Sequence, residues 1–203
     1  MFTGIVKGTG KIVDIIPDGS THALKINVPA EIVDKLKIGD SLSVDGVCLT
    51  VVSITENVVG FDAVNETLER TIIQHYQLGN EVNLENSLSY GEHVGGHLVS
   101  GHIQTIAEIK EVEIDGRAKN LLVEIDEKYS KYIFEKGYVA LNGCSLTIGR
   151  VIKNNFYLHL IPETLESTNL NKLLYGDLVN IELDQNTVTI VDTTERVLRD
   201  QTQ

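Results

Sequence analysis

"DGVCLTV" at residues 45–51 and "NGCSLTI" at residues 142–148 are one phrase written twice. Each is followed at the same interval by a second shared phrase, "NETLERT" (65–71) and "PETLEST" (162–168). Cys48 and Ser145 are 97 positions apart, as are Glu66 and Glu163, and Gly79 and Gly176. The last pair opens "GNEVNLE" (79–85) and "GDLVNIE" (176–182), and the same shift lays "TGIV" (3–6) on "SGHI" (100–103). One register held over four separate segments without a net insertion marks a duplicated chain.

Each half reads as mostly β. In "ALKINV" (23–28) the alternation puts Leu24, Ile26 and Val28 on one face. In "VCLTVVSI" (47–54), Val47, Leu49 and Val51 share one side, and Cys48, Thr50 and Val52 share the other. Gly39, Gly46, Gly60 and Gly79 punctuate these runs as turns between short strands. One short helix is expected per half: "PAEIVDKLKIGD" (29–40), with Pro29 at its first position and Gly39 at its end, and its counterpart "DEKYSKYIFEKG" (126–137). Short strands closed by turns predict an all-β, mainly antiparallel fold, one small barrel per half, since closure removes exposed sheet edges. The repeat sets a boundary near Gly95–Gly96, giving units 1–96 and 97–186 and a tail, 187–203. In that tail Asp192, with Glu195 three residues on, reads as a helix start. Val191, Thr194 and Leu198 then form a stripe that needs a partner surface, placed here in another subunit.

The 203 residues are enough to bury a sizeable core, and 42% hydrophobic with 23% charged residues is ordinary globular composition. The formal charge of −12, with Lys and Arg scattered, repels nucleic acid and anionic membranes. No apolar run has signal-peptide or membrane-spanning length. Two cysteines, Cys48 and Cys144, fit a reducing, cytoplasmic setting better than a disulfide-built secreted domain.

Three constellations carry potential chemistry. "HVGGHLVSGH" (93–102) holds His93, His97 and His102, which invites a metal reading, but on extended, glycine-rich chain the spacing points neighbours to opposite faces. Cys48 alone would be a small core residue. Its equivalence to Ser145, with Thr50 and Thr147 on the same faces, instead describes two equivalent cavities lined by small hydrogen-bonding groups, pockets suited to a flat polar heterocycle. The repeated Glu-Thr-Leu-Glu is a candidate pocket rim, or a solvated helical turn.

"MFTGIV", "DGVCLT", "GGHLVSGH", "NGCSLT" and "IPETLE", in this order over essentially residues 1–200, resemble the riboflavin synthases. The resemblance implies two six-stranded Greek-key β-barrels with short helices and a C-terminal helix. It also implies a homotrimer built through that helix, with the first barrel of one subunit set against the second barrel of its neighbour. Each barrel would bind one 6,7-dimethyl-8-ribityllumazine, and a four-carbon unit would pass between the two, giving riboflavin and 5-amino-6-ribitylaminouracil. Neither metal nor organic cofactor is implied; association with lumazine synthase is. A reaction that consumes two copies of one molecule explains why the phrase is written twice.

Carried onto this sequence, the resemblance puts Gly4, Ile5, Val6, Cys48, Leu49, Thr50, Asp62, Ala63, Val64, Asn65, Glu66 and Thr67 in the first pocket. The second takes Gly101, His102, Ile103, Lys136, Ser145, Leu146, Thr147, Ile161, Pro162, Glu163, Thr164, Leu165 and Glu166. Ser41, Cys48, His102, Ser145, Thr147 and Asp184 match positions linked with catalysis, and Phe2 belongs to an N-terminal segment the family needs intact. Imidazole exchanges protons near neutral pH, so His102 is expected as a proton shuttle. Cys48, with no cationic neighbour in sequence, is expected to support rather than attack. The chain departs from the family pattern in carrying Asp45 where Asn is usual and Asn142 where Asp is usual. The rival within the same resemblance is a non-catalytic lumazine or flavin antenna protein; such proteins tend to lose the polar groups of the first pocket and the "GGHLVSGH" stretch, both present here. A flavin reductase would need a nucleotide-binding βαβ unit, and no GxGxxG follows a strand.

Overall fold

Each strand of the first half recurs 97 positions later in the computed structural model, which describes residues 1–202. The first six are β1 (Gly8–Asp18), β2 (Thr21–Asn27), β3 (Ser41–Val44), β4 (Val47–Thr55), β5 (Val58–Val64) and β6 (Glu81–Asn86). Their counterparts are β7 (Thr105–Asp115), β8 (Ala118–Glu124), β9 (Tyr138–Leu141), β10 (Cys144–Ile152), β11 (Asn155–Leu160) and β12 (Leu178–Leu183). Each set closes into an antiparallel barrel of one neighbour order, β1-β2-β5-β4-β3-β6 and β7-β8-β11-β10-β9-β12, the expected architecture. Register shifts at Ile12/Asp14 and Ile109/Glu111 bend the long first strand of each set where it must serve two neighbours.

The predicted alternation holds. Leu24, Ile26 and Val28 point inward with Val47, Leu49 and Val51, all at most 4% exposed. The two cores reach similar packing with different residues: Val59 and Phe61 face inward on β5, Phe156 and Leu158 on β11. The aromatic ring has moved two positions along the strand, an exchange that changes the summed side-chain volume by a single methylene.

The predicted helices differ in extent. Within 29–40 only Ala30–Val33 (α1) is α-helical, with Pro29 one position ahead of it, and within 126–137 Glu127–Tyr132 is a 3-10 turn. Ile32, Val33 and Leu36 are buried in the barrel core, so the segment is a plug too short to extend as a helix. The shared ETLE phrases form single helical turns, α2 (Asn65–Arg70) and α3 (Pro162–Ser167). The C-terminal helix α4 (Gln185–Gln201) begins well before Asp192. Its cap is Asp184, whose carboxylate accepts from the Thr187 amide at 2.9 Å and the Thr187 hydroxyl at 2.7 Å. Asp192 and Glu195 sit mid-helix and bond Lys131, while Tyr132 also donates to Asp192.

The lobes meet across a pseudo-twofold seam in which equivalent residues meet each other. The hairpin tips Asp45-Gly46 and Asn142-Gly143 have positive φ at all four residues, the two-residue turn that Asp-Gly and Asn-Gly favour. A Cβ on Gly46 would stand 2.7 Å from the Gly143 nitrogen, so the tips abut only as glycines. Asn83 donates its side-chain amide to the Asn142 carbonyl at 2.9 Å, and Asn180 does the same to Asp45. One difference breaks the symmetry. The buried Asp45 carboxylate accepts from the Asn83 amide and the Tyr76 hydroxyl, both at 2.8 Å, and from the Asn169 side chain at 2.9 Å. Tyr76 and Asn169 correspond to Leu173 and Ile72 in the other copy. The carboxylate at 45 is thus matched by donors that the amide at 142 lacks.

Candidate functional site

The two halves exchange their leading segments. Thr3–Val6 is anchored by its own lobe's Glu85, whose carboxylate accepts from the Thr3 amide (2.7 Å), the Thr3 hydroxyl (2.6 Å) and the Gly4 amide (3.0 Å). The Gly4 carbonyl then accepts the Ser145 amide of lobe 2 at 2.8 Å, and Val6 packs in the lobe-2 core. Symmetrically, Glu182 accepts from the Ser100 amide and hydroxyl and from the Gly101 amide. The Gly101 carbonyl accepts the Cys48 amide at 2.9 Å, and Ile103 packs in the lobe-1 core. Burial raises the pKa of both glutamates. The sequence grouping put Gly4, Ile5 and Val6 with Cys48, and Gly101, His102 and Ile103 with Ser145. The structure pairs them the other way, because each segment crosses the seam and packs against the other barrel.

Both crossings require glycine. Gly4 and Gly101 have φ of +71° and +84°. A Cβ on Gly4 would lie 2.5 Å from the Ser145 Cβ, and one on Gly101 would lie 2.4 Å from the Cys48 Cβ.

Strand alternation turns Cys48 and Thr50 away from the barrel interior. Cys48 therefore lines an external cavity of about 430 Å³, together with Glu66, Thr67, Arg70, Gly101, His102, Ile103, Gln104 and Tyr129. The ETLE turn forms the cavity's rim, where Glu66 accepts from Arg70 at 3.1 Å. Ser41 pairs with Thr50 in the register of β3 and β4. Leu49 and Ala63 point into the core, so only their backbone faces outward, whereas Asp62, Val64 and Asn65 are exposed on the run into α2.

In lobe 2, Ser145 is half-buried beneath the inter-lobe link. The His97 Nδ1 lies 2.6 Å from the Ser145 Oγ, and the imidazole stacks on Tyr138 with centroids 5.3 Å apart and planes 18° from parallel. Burial lowers the His97 pKa against the opposing pull of Asp184. The Asp184 carboxylate is itself held below its usual value: burial opposes ionisation, but bonds from Thr187 and Asn186 and the nearby His97 outweigh it. Thr147 is exposed and pairs with Tyr138 in the sheet register. Lys136 occupies a positive-φ turn and is exposed. Leu146 points into the core. Ile161, Pro162, Glu163, Thr164, Leu165 and Glu166 build the α3 turn, the counterpart of the lobe-1 rim.

The sequence reading missed Arg70, Gln104 and Tyr129, and it weighed His97 only as a metal ligand. Arg70 was readable as the continuation of ETLE; Tyr129 was not, since it reaches the Cys48 cavity from the other lobe. The histidines of the link separate: His97 goes to Ser145, His102 to the Cys48 cavity, and His93 to a larger cavity of about 580 Å³ under residues 87–93. Both cysteines are free, and burial pushes Cys144 up to about 12.

Comparison with known proteins places this geometry. The lumazine binding domain matches the chain twice, at residues 3–87 and 100–184. The riboflavin synthase of Escherichia coli K12 is 43% identical over 201 residues, 98% of this chain and 93% of that protein. That of Buchnera aphidicola subsp. Schizaphis graminum is 42% identical over 200 residues, covering 98% and 96%. Among solved structures, LumP complexed with riboflavin superposes with a TM-score of 0.86 at 28% identity. LumP complexed with 6,7-dimethyl-8-(1'-D-ribityl) lumazine gives 0.84 at 27%; both cover 91% of this chain and 100% of that one.

Proposed function

Because the chain belongs to the lumazine binding domain family, we propose that it is a riboflavin synthase, with a lumazine pocket beside Cys48 in lobe 1 and another beside Ser145 in lobe 2. The observation that carries this reading is full-length similarity to riboflavin synthases, 43% identity over 98% of the chain, against 27–28% to the LumP structures. The enzyme is a transferase: two 6,7-dimethyl-8-ribityllumazine molecules exchange a four-carbon unit, leaving riboflavin and 5-amino-6-ribitylaminouracil.

One lumazine loses a proton from its C7 methyl group and the other accepts a nucleophile at C7. The ring system spreads the resulting charge, so the protein's work is to position, exclude water and move protons. His102, on the wall of the Cys48 cavity, is placed to shuttle a proton, and Ser41, Cys48, Ser145, Thr147 and Asp184 complete the proposed catalytic set. Glu66, Thr67 and Arg70 on the rim, with their lobe-2 counterparts Glu163 and Thr164, suit the hydroxyls of a ribityl chain.

A homotrimer brings a lobe-1 pocket of one subunit to a lobe-2 pocket of the next. The support is α4: Val188 docks on the lobe-2 core while Ile190, Val197 and Leu198 stand 47–66% exposed. In this reading residues 1–96 and 97–186 are the two binding units and 187–203 the oligomerising tail, and the enzyme works in the cytoplasm, where it associates with lumazine synthase. No helix is long and apolar enough to cross a membrane among the described residues.

Purified, cofactor-free protein incubated with 6,7-dimethyl-8-ribityllumazine should accumulate riboflavin. Lumazine bound but unchanged would overturn the enzyme in favour of an antenna protein.

A further inference from the structure

The two pockets differ in one respect that the repeat does not supply. His97 lies in the link between the two matched domains, residues 3–87 and 100–184. An imidazole therefore reaches Ser145 from the link, whereas the imidazole in the Cys48 cavity, His102, comes from the second copy of the repeat. We propose that His97 is a positioning residue for Ser145, fixing the direction of its hydroxyl toward the ring bound in lobe 2 and so making the two pockets chemically unequal.

Three features support this, resting on the riboflavin synthase reading of the pockets. The Nδ1–Oγ separation of 2.6 Å is a strong hydrogen bond, enough to hold a hydroxyl that would otherwise rotate freely. The imidazole is itself immobilised: 8% exposed and stacked on Tyr138. The approach is also built for closeness. A Cβ on Gly96 would stand 2.4 Å from the Thr3 carbonyl oxygen and 2.7 Å from the Ser145 Cβ, so only glycine lets the link lie against both. Burial disfavours a second ring proton even though Asp184 pulls the other way, and the ring faces no cation in these contacts. A neutral imidazole with one protonated nitrogen can donate or accept at Nδ1, and either bond pins the Ser145 rotor. Lobe 1 has a different arrangement, in which His102 lines the cavity wall and Cys48 stands opposite Gly101.

The test compares His97→Ala, His97→Asn and His97→Gln, alone and with Ser145→Ala, in steady-state turnover of 6,7-dimethyl-8-ribityllumazine. An Asn amide reaches where Nδ1 stood; a Gln amide overshoots it. His97→Ala should lower kcat about tenfold with KM changed less than about threefold, His97→Asn should restore most of it, and His97→Gln should not. In the Ser145→Ala background the further loss from His97→Ala should fall below about twofold. Equal losses in both backgrounds, or equal behaviour of Asn and Gln, would overturn the assignment. Asn and Gln keep the test valid should the Ala variant fold poorly. Nitrogen-15 resonances of His97 in the ligand-free protein supply a readout independent of turnover. They should shift, with a changed titration midpoint, in Ser145→Ala; unshifted resonances would refute the bond whether or not the wild type makes riboflavin.

Discussion

Phe2 and Val99 hold the same place in the two copies of the repeat, and they bond to each other. The Phe2 amide donates to the Val99 carbonyl at 2.7 Å, and the Val99 amide to the Phe2 carbonyl at 3.0 Å. The pair lies on the pseudo-twofold axis, with Phe2 fully buried against Val99, Ala140 and Cys48. Phe2→Ala should lower stability by about 3–5 kcal/mol in denaturant unfolding, through lost burial and the cavity left behind. Because Phe2 packs beside Gly101 and Cys48, activity should fall further than stability alone accounts for, measured at a temperature where the variant stays folded.

The crossing of the leading segments predicts a crossed pattern of damage. Gly4→Ala should impair the Ser145 pocket in lobe 2, and Gly101→Ala the Cys48 pocket in lobe 1. Left-handed backbone and steric overlap should each time cost about 2 kcal/mol or more. Titration with riboflavin, followed by its fluorescence, should show one class of site weakened in each variant. Weakening of the Cys48 pocket by Gly4→Ala would contradict the exchange.

Asp45 predicts a pH dependence of known sign. Burial, opposed by bonds from Asn83, Tyr76 and Asn169, raises its pKa from 3.8 to about 6. The folded chain thus holds this proton more tightly than the unfolded one. The stability it brings is complete below about pH 3.8 and is lost as pH rises through about 6. Asp45→Asn, which restores the amide found at Asn142, should match the wild type near pH 4. It should exceed it by roughly 1–3 kcal/mol at pH 7.5, read as the difference in unfolding free energy between the two proteins.

The exposed stripe on α4 predicts that Ile190→Lys combined with Leu198→Lys dissociates the proposed trimer. Sedimentation should then report monomer, and the melting of the lobes should change little, since Val188 still docks on lobe 2. Turnover should drop by at least about a hundredfold, the loss of a juxtaposed pair of reactants.

The repeat made the barrels legible, because a strand readable in one copy, such as Leu24–Val28, fixes its partner 97 positions on. The α4 start was hidden: Thr187, Val188, Thr189, Ile190 and Val191 are all β-branched, residues that favour strand over helix, and Val188 is docked on lobe 2. The chemical types at Cys48, Ser145 and the ETLE turns were equally plain. Which lobe Gly4 and Gly101 serve was not. An internal repeat says that two positions are equivalent and nothing about which side of the dyad each packs on; that is decided by Val6 and Ile103 finding space in the opposite cores.

Traded arms also speak to ancestry. A solitary half would own an N-terminal arm with no foreign wall to lie on and a wall with no arm upon it, and two identical copies would satisfy both by clasping. Tandem fusion then needs only a linker, and His97 sits on that linker, within reach of one wall and not the other.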